Sequence, residues 1–347
     1  MTTAYRSNSA LQIERIAVTS TIAPLSDAAR ALSVAIHRMI ERATVAGAVR
    51  AAESGDDLRL MRYIERGRAL HARFDKPSPS QMSAALAGAQ ILPATLRHRR
   101  AAWMRHEQFG EDAVLVYVHG GSFIAERSPR LTALIARIAK AARLNTLMVD
   151  YRLAPEHPCP AAVDDVETAV RELIAQGHAP ERIGMVAESA GASIALAAAS
   201  RLRDLGLSPG AIYLMSPWTD LALTGRSAAA RSVVGDSPIS MESMAICAHF
   251  YLQGRSPLDA TASPVYGNLA DLPPLLIHTS RTDALHDDAR LLAERVHAAG
   301  GAVTLRVWST GSHVFERNFD RQSERAIADA GAFLRARLGL ERSARAG

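Results

Sequence analysis

The segment "MVAESAGAS", Met185 to Ser193, sets one hydroxyl, Ser189, between an apolar run and an alanine-rich run. A serine held in a sharp strand-to-helix turn projects its Oγ outward and can act as a nucleophile. The turn demands small neighbours, because the backbone packs closely there. Ala187, Gly191 and Ala192 meet that demand. Alanine stands where the first glycine of G-x-S-x-G is usual, which adds one methyl group to the strand–helix contact. Alone the pattern is weak, since a serine at such a corner also serves as an ordinary helix cap.

A serine nucleophile needs a base, a group that orients the base, and N–H donors for the charge growing on the attacked carbonyl oxygen. "YVHGGSF", Tyr117 to Phe123, is a glycine-rich loop about 70 residues ahead of Ser189, the order that oxyanion loop and nucleophile require. Gly120, Gly121 and Ser122 are its candidate donors, joined by the N–H of Ala190. Asp283 follows "PLLIHTSRT" and His313 follows "VTLRVWSTGS". Serine, then acid, then histidine is the order found in α/β hydrolases. Asp287, one helical turn beyond Asp283, is the fallback for the acid.

These groups need a scaffold that brings distant loops together. From about residue 93, runs rich in Val, Ile and Leu recur: "AVLVYVHG", "NTLMVDY", "RIGMVAES", "AIYLMSP", "PLLIHTS" and "VTLRVWS". Helical periodicity occupies 131–143, 163–176, 190–205 and 285–299 between them. Continuous apolar strands alternating with helices predict an α/β fold with a mostly parallel sheet covered on both faces. Its strand ends, where Ser189, Asp283 and His313 fall, are where such sheets bind ligands. Earlier, 25–48 and 56–74 read as amphipathic helices, and "KPSPS" at 76–80 breaks the chain. The alternation is interrupted between Trp218 and Pro273 by an insertion with a helical stretch near 240–253.

With "HGGSF" (119–123), "DYRLAPEHPCPAAVDD" (150–165), "AESAGA" (187–192), "SPWTDL" (216–221), "DLPPLLIHTSRTDAL" (271–285) and "GSHVF" (311–315), the chain resembles the hormone-sensitive-lipase-like esterases of the α/β-hydrolase superfamily. Bacterial acetyl hydrolases and monoterpene lactone hydrolases are the nearest types. The resemblance implies an α/β-hydrolase domain over 91–221 and 257–347. A helical arm over 1–90 and a second segment over 222–256 would form a cap. It implies Ser189 as nucleophile, Asp283 as acid, His313 as base, and His119 as a brace for the oxyanion loop. Arg152, Glu156 and Asp164 would support that loop. Ser122 stands where a third glycine is usual, so its side chain would project toward the alcohol side of the pocket. Met241, Met244, Phe250 and Tyr251 would either line the pocket or pack beneath the lid. The implied activity is hydrolysis of short-to-medium-chain acyl esters through an acyl-enzyme, with no metal or cofactor. A lactone hydrolase or amidase would use the same residues, and a non-catalytic ligand-binding protein could share the fold.

Composition excludes other classes. The chain has 347 residues, 48% hydrophobic, enough for one large domain with an appendage. The net charge of +5 comes almost wholly from arginines scattered among acids, which does not suit nucleic-acid binding. Two cysteines, Cys159 and Cys247, build neither a disulfide framework nor a CxxC metal site. No signal-peptide pattern and no run of about 18 apolar residues is found, so a cytoplasmic protein is expected. An exposed edge strand near 303–309, with the last helix, would allow a homodimer.

Overall fold

Five apolar runs become strands buried along their whole length: β4 (Val114–Val118), β5 (Asn145–Val149), β6 (Ile183–Glu188), β7 (Ala211–Met215) and β8 (Leu275–Ser280). The computed structural model describes residues 12–16, 46–48, 50–51, 54–97, 99–234 and 239–340. The helix expected over 25–48 lies almost wholly outside them. With β9 (Val303–Trp308), the five form the parallel centre of a sheet that has nine strands among the described residues. With β1 (Gln12–Ile16), β2 (Gln90–Leu96) and β3 (Arg99–Arg105), its order is β1-β9-β8-β7-β6-β4-β5-β3-β2. β2 and β3 form an antiparallel pair at one margin, with β3 antiparallel to β5.

The twofold alternation of strand side chains divides the core between the two faces. Val116, Met185, Leu214 and Ile277 face one layer of helices, α4 (Ala161–Ala175), α5 (Gly191–Asp204) and α8 (His286–Ala298). Leu115, Val186, Tyr213 and Leu276 face the other, α3 (Pro129–Ala142) and α9 (Arg321–Arg337). Helix starts are written in the sequence. Ser128 accepts the Leu131 N–H with Pro129 following, and Asp320 accepts the Ser323 N–H.

The N-terminal part departs from a purely helical arm. Gln12–Ile16 is a strand, β1, that runs parallel to β9, with Gln12 opposite Thr304 and Ile16 opposite Trp308. The edge expected at 303–309 is therefore occupied, and the basis for a dimer through it disappears. α1 (Asp57–Phe74) matches the expected helix. The polar "KPSPS" that follows ends in a capping box, Ser78 with Gln81, which starts α2 (Pro79–Leu86). Ala85 of α2 is buried in the same core layer as α3, so this piece of the arm flanks the sheet. In the insertion, α6 (Arg226–Val234) and α7 (Met241–Leu252) follow β7.

Candidate active site

Ser189 closes the turn from β6 into α5 with φ at +52°, in the left-handed region that side chains other than glycine rarely adopt. The turn is held on both sides. The Ser189 N–H donates to Met215 O at 3.0 Å, and the Trp218 N–H donates to Ser189 O at 3.0 Å. The requirement for a bare Cα falls on Gly191, where a Cβ would sit 2.3 Å from Val118 O and 2.5 Å from His119 O. Ala187 lies in β6 between Val118 and Leu214, and its methyl fits the core with no exposure. That is why the elbow tolerates alanine at its first small position.

The three polar groups expected at the strand ends meet. His313 Nε2 lies 2.9 Å from Ser189 Oγ, and His313 Nδ1 lies 3.2 Å from Asp283 Oδ1. Asp283 is 1% exposed. Burial pushes its carboxyl up, but the His313 imidazole and hydrogen bonds from Leu285 N–H and Ser216 hold it below the ordinary aspartate value. Asp287 is turned elsewhere: it accepts the Ser227 N–H at 2.9 Å and faces Arg290. Gly311 O, two residues before His313, accepts from Ser280 Oγ at 2.6 Å and Thr282 Oγ1 at 2.7 Å, which joins the loops after β8 and β9.

The glycine-rich loop follows β4 and passes beside the elbow. Gly121, Ser122 and Phe123 have φ of 108°, 54° and 66°, a run of positive values in the left-handed half of backbone space. A Cβ at Gly121 would meet Ala125 O at 2.6 Å. Among the described residues, the N–H groups of Gly121, Ser122 and Ala190 have no hydrogen-bond acceptor in the protein. Ala190 begins α5 without a side-chain cap, so the positive end of that helix is open to an anion as well. Gly120 differs from the expectation. Its N–H donates to Glu188 Oε1 at 2.5 Å, so it is already occupied.

The loop is braced from behind. His119 stacks on Tyr151 with ring centroids 4.3 Å apart, and its Nδ1 lies 2.7 Å from Gly120 O. The Tyr151 hydroxyl donates to His119 O at 2.6 Å. Arg152 pairs with Asp165 at 2.9 Å, whereas the expected Asp164 pairs with Arg201 of α5 at 2.6 Å. Glu156 is held by Arg68 of α1 at 2.6 and 2.8 Å. The same guanidinium donates to Ile124 O at 2.5 Å and Ala154 O at 3.0 Å, tying the N-terminal helix to the end of the glycine-rich loop. Phe123 stacks on Tyr251 of α7 at 3.9 Å and leans on Trp218 at 5.2 Å, so the insertion is fastened there too. Met244, Phe250 and Tyr251 are buried in the main core.

Arg68, Glu188 and Ser216 escape sequence reasoning, because their roles depend on partners far along the chain. Glu188 alone leaves a sign, an acid inside an otherwise apolar run.

A parallel sheet with a strained serine turn, a glycine-rich donor loop and a histidine–aspartate pair at its strand ends is the architecture of the α/β hydrolases. A family profile described as the alpha/beta hydrolase fold matches residues 115–317, and the chain belongs to that family. It is 38% identical to an acetyl-hydrolase of Streptomyces hygroscopicus over 248 residues, 71% of this chain and 82% of that protein. It is 30% identical to an esterase of Acinetobacter venetianus over 247 residues, 69% of this chain and 81% of that one. The crystal structure of an esterase from the bacterial hormone-sensitive lipase family superposes with a TM-score of 0.74 at 33% identity, covering 79% of this chain and 92% of that one. The chain is an ester-hydrolysing enzyme. Among the described residues, no helix is long and apolar enough to cross a membrane.

Proposed function

We propose that the chain is a serine carboxylesterase acting on short-to-medium-chain acyl esters through an acyl-enzyme. The observation that carries this reading is the 2.9 Å approach of His313 Nε2 to Ser189 Oγ, backed by Asp283 on the other ring nitrogen. His313 takes the Ser189 proton as Oγ bonds to the acyl carbon, while Asp283 holds the imidazole in the tautomer that leaves Nε2 free to accept. The amides of Gly121, Ser122 and Ala190 hold the oxyanion, each contributing about 3 kcal/mol to the barrier reduction. The C–O bond to the alcohol breaks as His313 returns the proton to the leaving oxygen. Water then repeats the attack on the acyl-enzyme, again with His313 as base, and frees the acid.

α1 and the segment at 222–256 act as a cap over the strand ends, fastened at Arg68 and Tyr251. Support for a short acyl group comes from the name of the Streptomyces relative, an acetyl-hydrolase. The test is a series of p-nitrophenyl esters from acetate to palmitate, with a lactone and an anilide alongside, on wild type and Ser189→Ala. The expected result is a maximum at butyrate or shorter, and loss of about 10⁴-fold or more in kcat for the variant. A maximum at palmitate overturns the chain-length assignment; a fully active Ser189→Ala overturns the mechanism. Faster turnover of the lactone or the anilide moves the enzyme to that substrate class.

A further inference from the structure

Glu188 is the last residue of β6 and precedes Ser189. It is 1% exposed. Its Oε1 accepts the Gly120 N–H at 2.5 Å and the Tyr117 hydroxyl at 3.1 Å. Oε2 is buried and has no hydrogen-bond partner among the described residues. Ester cleavage as derived above gives this carboxyl no step to perform. An ionised carboxylate there would be a liability, because a second negative charge must develop on the oxyanion held by the neighbouring loop.

Position explains its presence. A Cβ at Gly120 would lie 3.0 Å from Ser189 Cβ and 3.2 Å from Glu188 Oε1, so carboxyl and hydroxyl-bearing side chain flank the same glycine. By capturing the Gly120 N–H, Glu188 fixes the peptide plane from which the amides of Gly121 and Ser122 continue. The groups that act on it come from every side: Tyr117 from β4, Tyr151 from the loop after β5, and Arg317 from the turn after His313. Arg317 is 3.8 Å from Asp75, so its charge is shared. Asp150 and Arg127 act one step further out, through the two tyrosines.

We propose that Glu188 is a positioning residue that works as an uncharged acid, fixing the oxyanion loop through Gly120 and shutting hydrolysis down when it loses its proton. The inference rests on the roles given above to Ser189, His313 and Asp283. Burial pushes the carboxyl up to about 8, against the hydrogen bonds from Gly120 and Tyr117 that favour the charge. The neutral acid therefore prevails at neutral pH. Above that, hydroxide removes the proton and leaves a buried carboxylate whose Oε1 is met by the Gly120 N–H and the Tyr117 hydroxyl while Oε2 has no hydrogen-bond partner among the described residues. The cost falls on the transition state more than on the ground state, because the oxyanion is present only in the former.

The test is the pH dependence of kcat and KM on p-nitrophenyl acetate, from pH 6 to 10, for wild type, Glu188→Gln and Glu188→Leu. Wild-type kcat falls above pH 8, by about tenfold per pH unit, as for one ionising group. Glu188→Leu removes the Gly120 acceptor and loses about a hundredfold in kcat, the scale of one oxyanion donor, with KM within about threefold. Glu188→Gln restores an uncharged acceptor, so its kcat at pH 7 exceeds that of the leucine variant at least tenfold, and it shows no alkaline fall. An alkaline fall of equal size in the glutamine variant overturns the proposal, as does wild-type kcat in a folded leucine variant. Should the leucine variant not fold, the comparison of wild type with Glu188→Gln decides alone. Labelling by a fluorophosphonate, with Ser189→Ala as blank, separates the outcomes: a blank that still reacts sinks the nucleophile assignment, whatever Glu188 does.

Discussion

The Ser216 hydroxyl donates to Asp283 Oδ2 and at the same time accepts the Val314 N–H at 3.0 Å. Ser216 follows β7, Asp283 follows β8, and Val314 adjoins His313, so one buried hydroxyl joins the two loops that carry the proposed acid and base. Ser216→Ala leaves a carboxylate oxygen and an N–H unsatisfied. The expected loss is about 2 kcal/mol of stability, read by denaturant melting. The freed carboxylate orients the imidazole less well, and kcat is expected to fall about tenfold with little change in KM.

At the elbow the steric demand lies on one glycine and not the other. Ala187→Gly is expected to keep kcat within about twofold and to lower stability by about 1 kcal/mol, as glycine does inside a strand. Gly191→Ala drives a methyl into Val118 O and His119 O at 2.3 and 2.5 Å. It is expected to cost at least about 3 kcal/mol, since backbone carbonyls cannot yield as side chains do. Esterase assays and thermal melts of the two variants side by side check the contrast.

Arg68 couples α1 to the end of the glycine-rich loop. Arg68→Met removes its bonds to Ile124 O, Ala154 O and Glu156 while keeping most of the aliphatic stem. The expected outcome is about a tenfold fall in kcat from a looser loop. Arg171→Met is the control, since Arg171 is exposed and its partner Glu167, one turn away on α4, keeps Arg201 at 3.5 Å without it. It is expected to change neither kcat nor melting temperature measurably.

Asp288 is buried beneath the site, with Oδ2 accepting the N–H groups of Thr219 at 2.9 Å and Asp220 at 3.0 Å. Burial pushes its carboxyl up to about 8, from an ordinary 3.8, although those N–H groups oppose the shift. Between these two values the folded chain holds a proton that the unfolded chain has released. Stability from this group is therefore full below about pH 4 and is lost as pH rises to about 8. Asp288→Asn keeps one oxygen for both N–H groups and has no proton to lose. Melting temperature measured at pH 5 and pH 9 is expected to favour the variant progressively as pH rises.

Much of this was legible in the residues, and the reason is physical. Strands buried on both faces must be continuously apolar, so β4 to β8 stand out as runs. Ser189 and Asp283 sit just past such runs and His313 past β9, so the sheet gathers all three side chains at its strand ends. The β2–β3 pair escaped because "QILPATL" is largely exposed and carries Pro93, which an edge strand tolerates and a central one does not. A glycine-rich string does not reveal which way each amide plane faces, so Gly120 reads like its neighbours although its N–H is taken by Glu188. Asp164 and Asp165 are adjacent in sequence, and a helix sends neighbouring side chains in different directions. The one that meets Arg152 is decided by packing.

The pairing of Gln12–Ile16 with Val303–Trp308 has a bearing on how the chain is made. Strand β1 finds its partner only after the whole span between residues 16 and 303 has been made. The pairing therefore joins two segments that lie far apart along the chain. Closing so long a loop is slow compared with the local strand–helix units between. Until it closes, the outer margin of β9 is an unpaired strand edge of the kind that can pair with another chain.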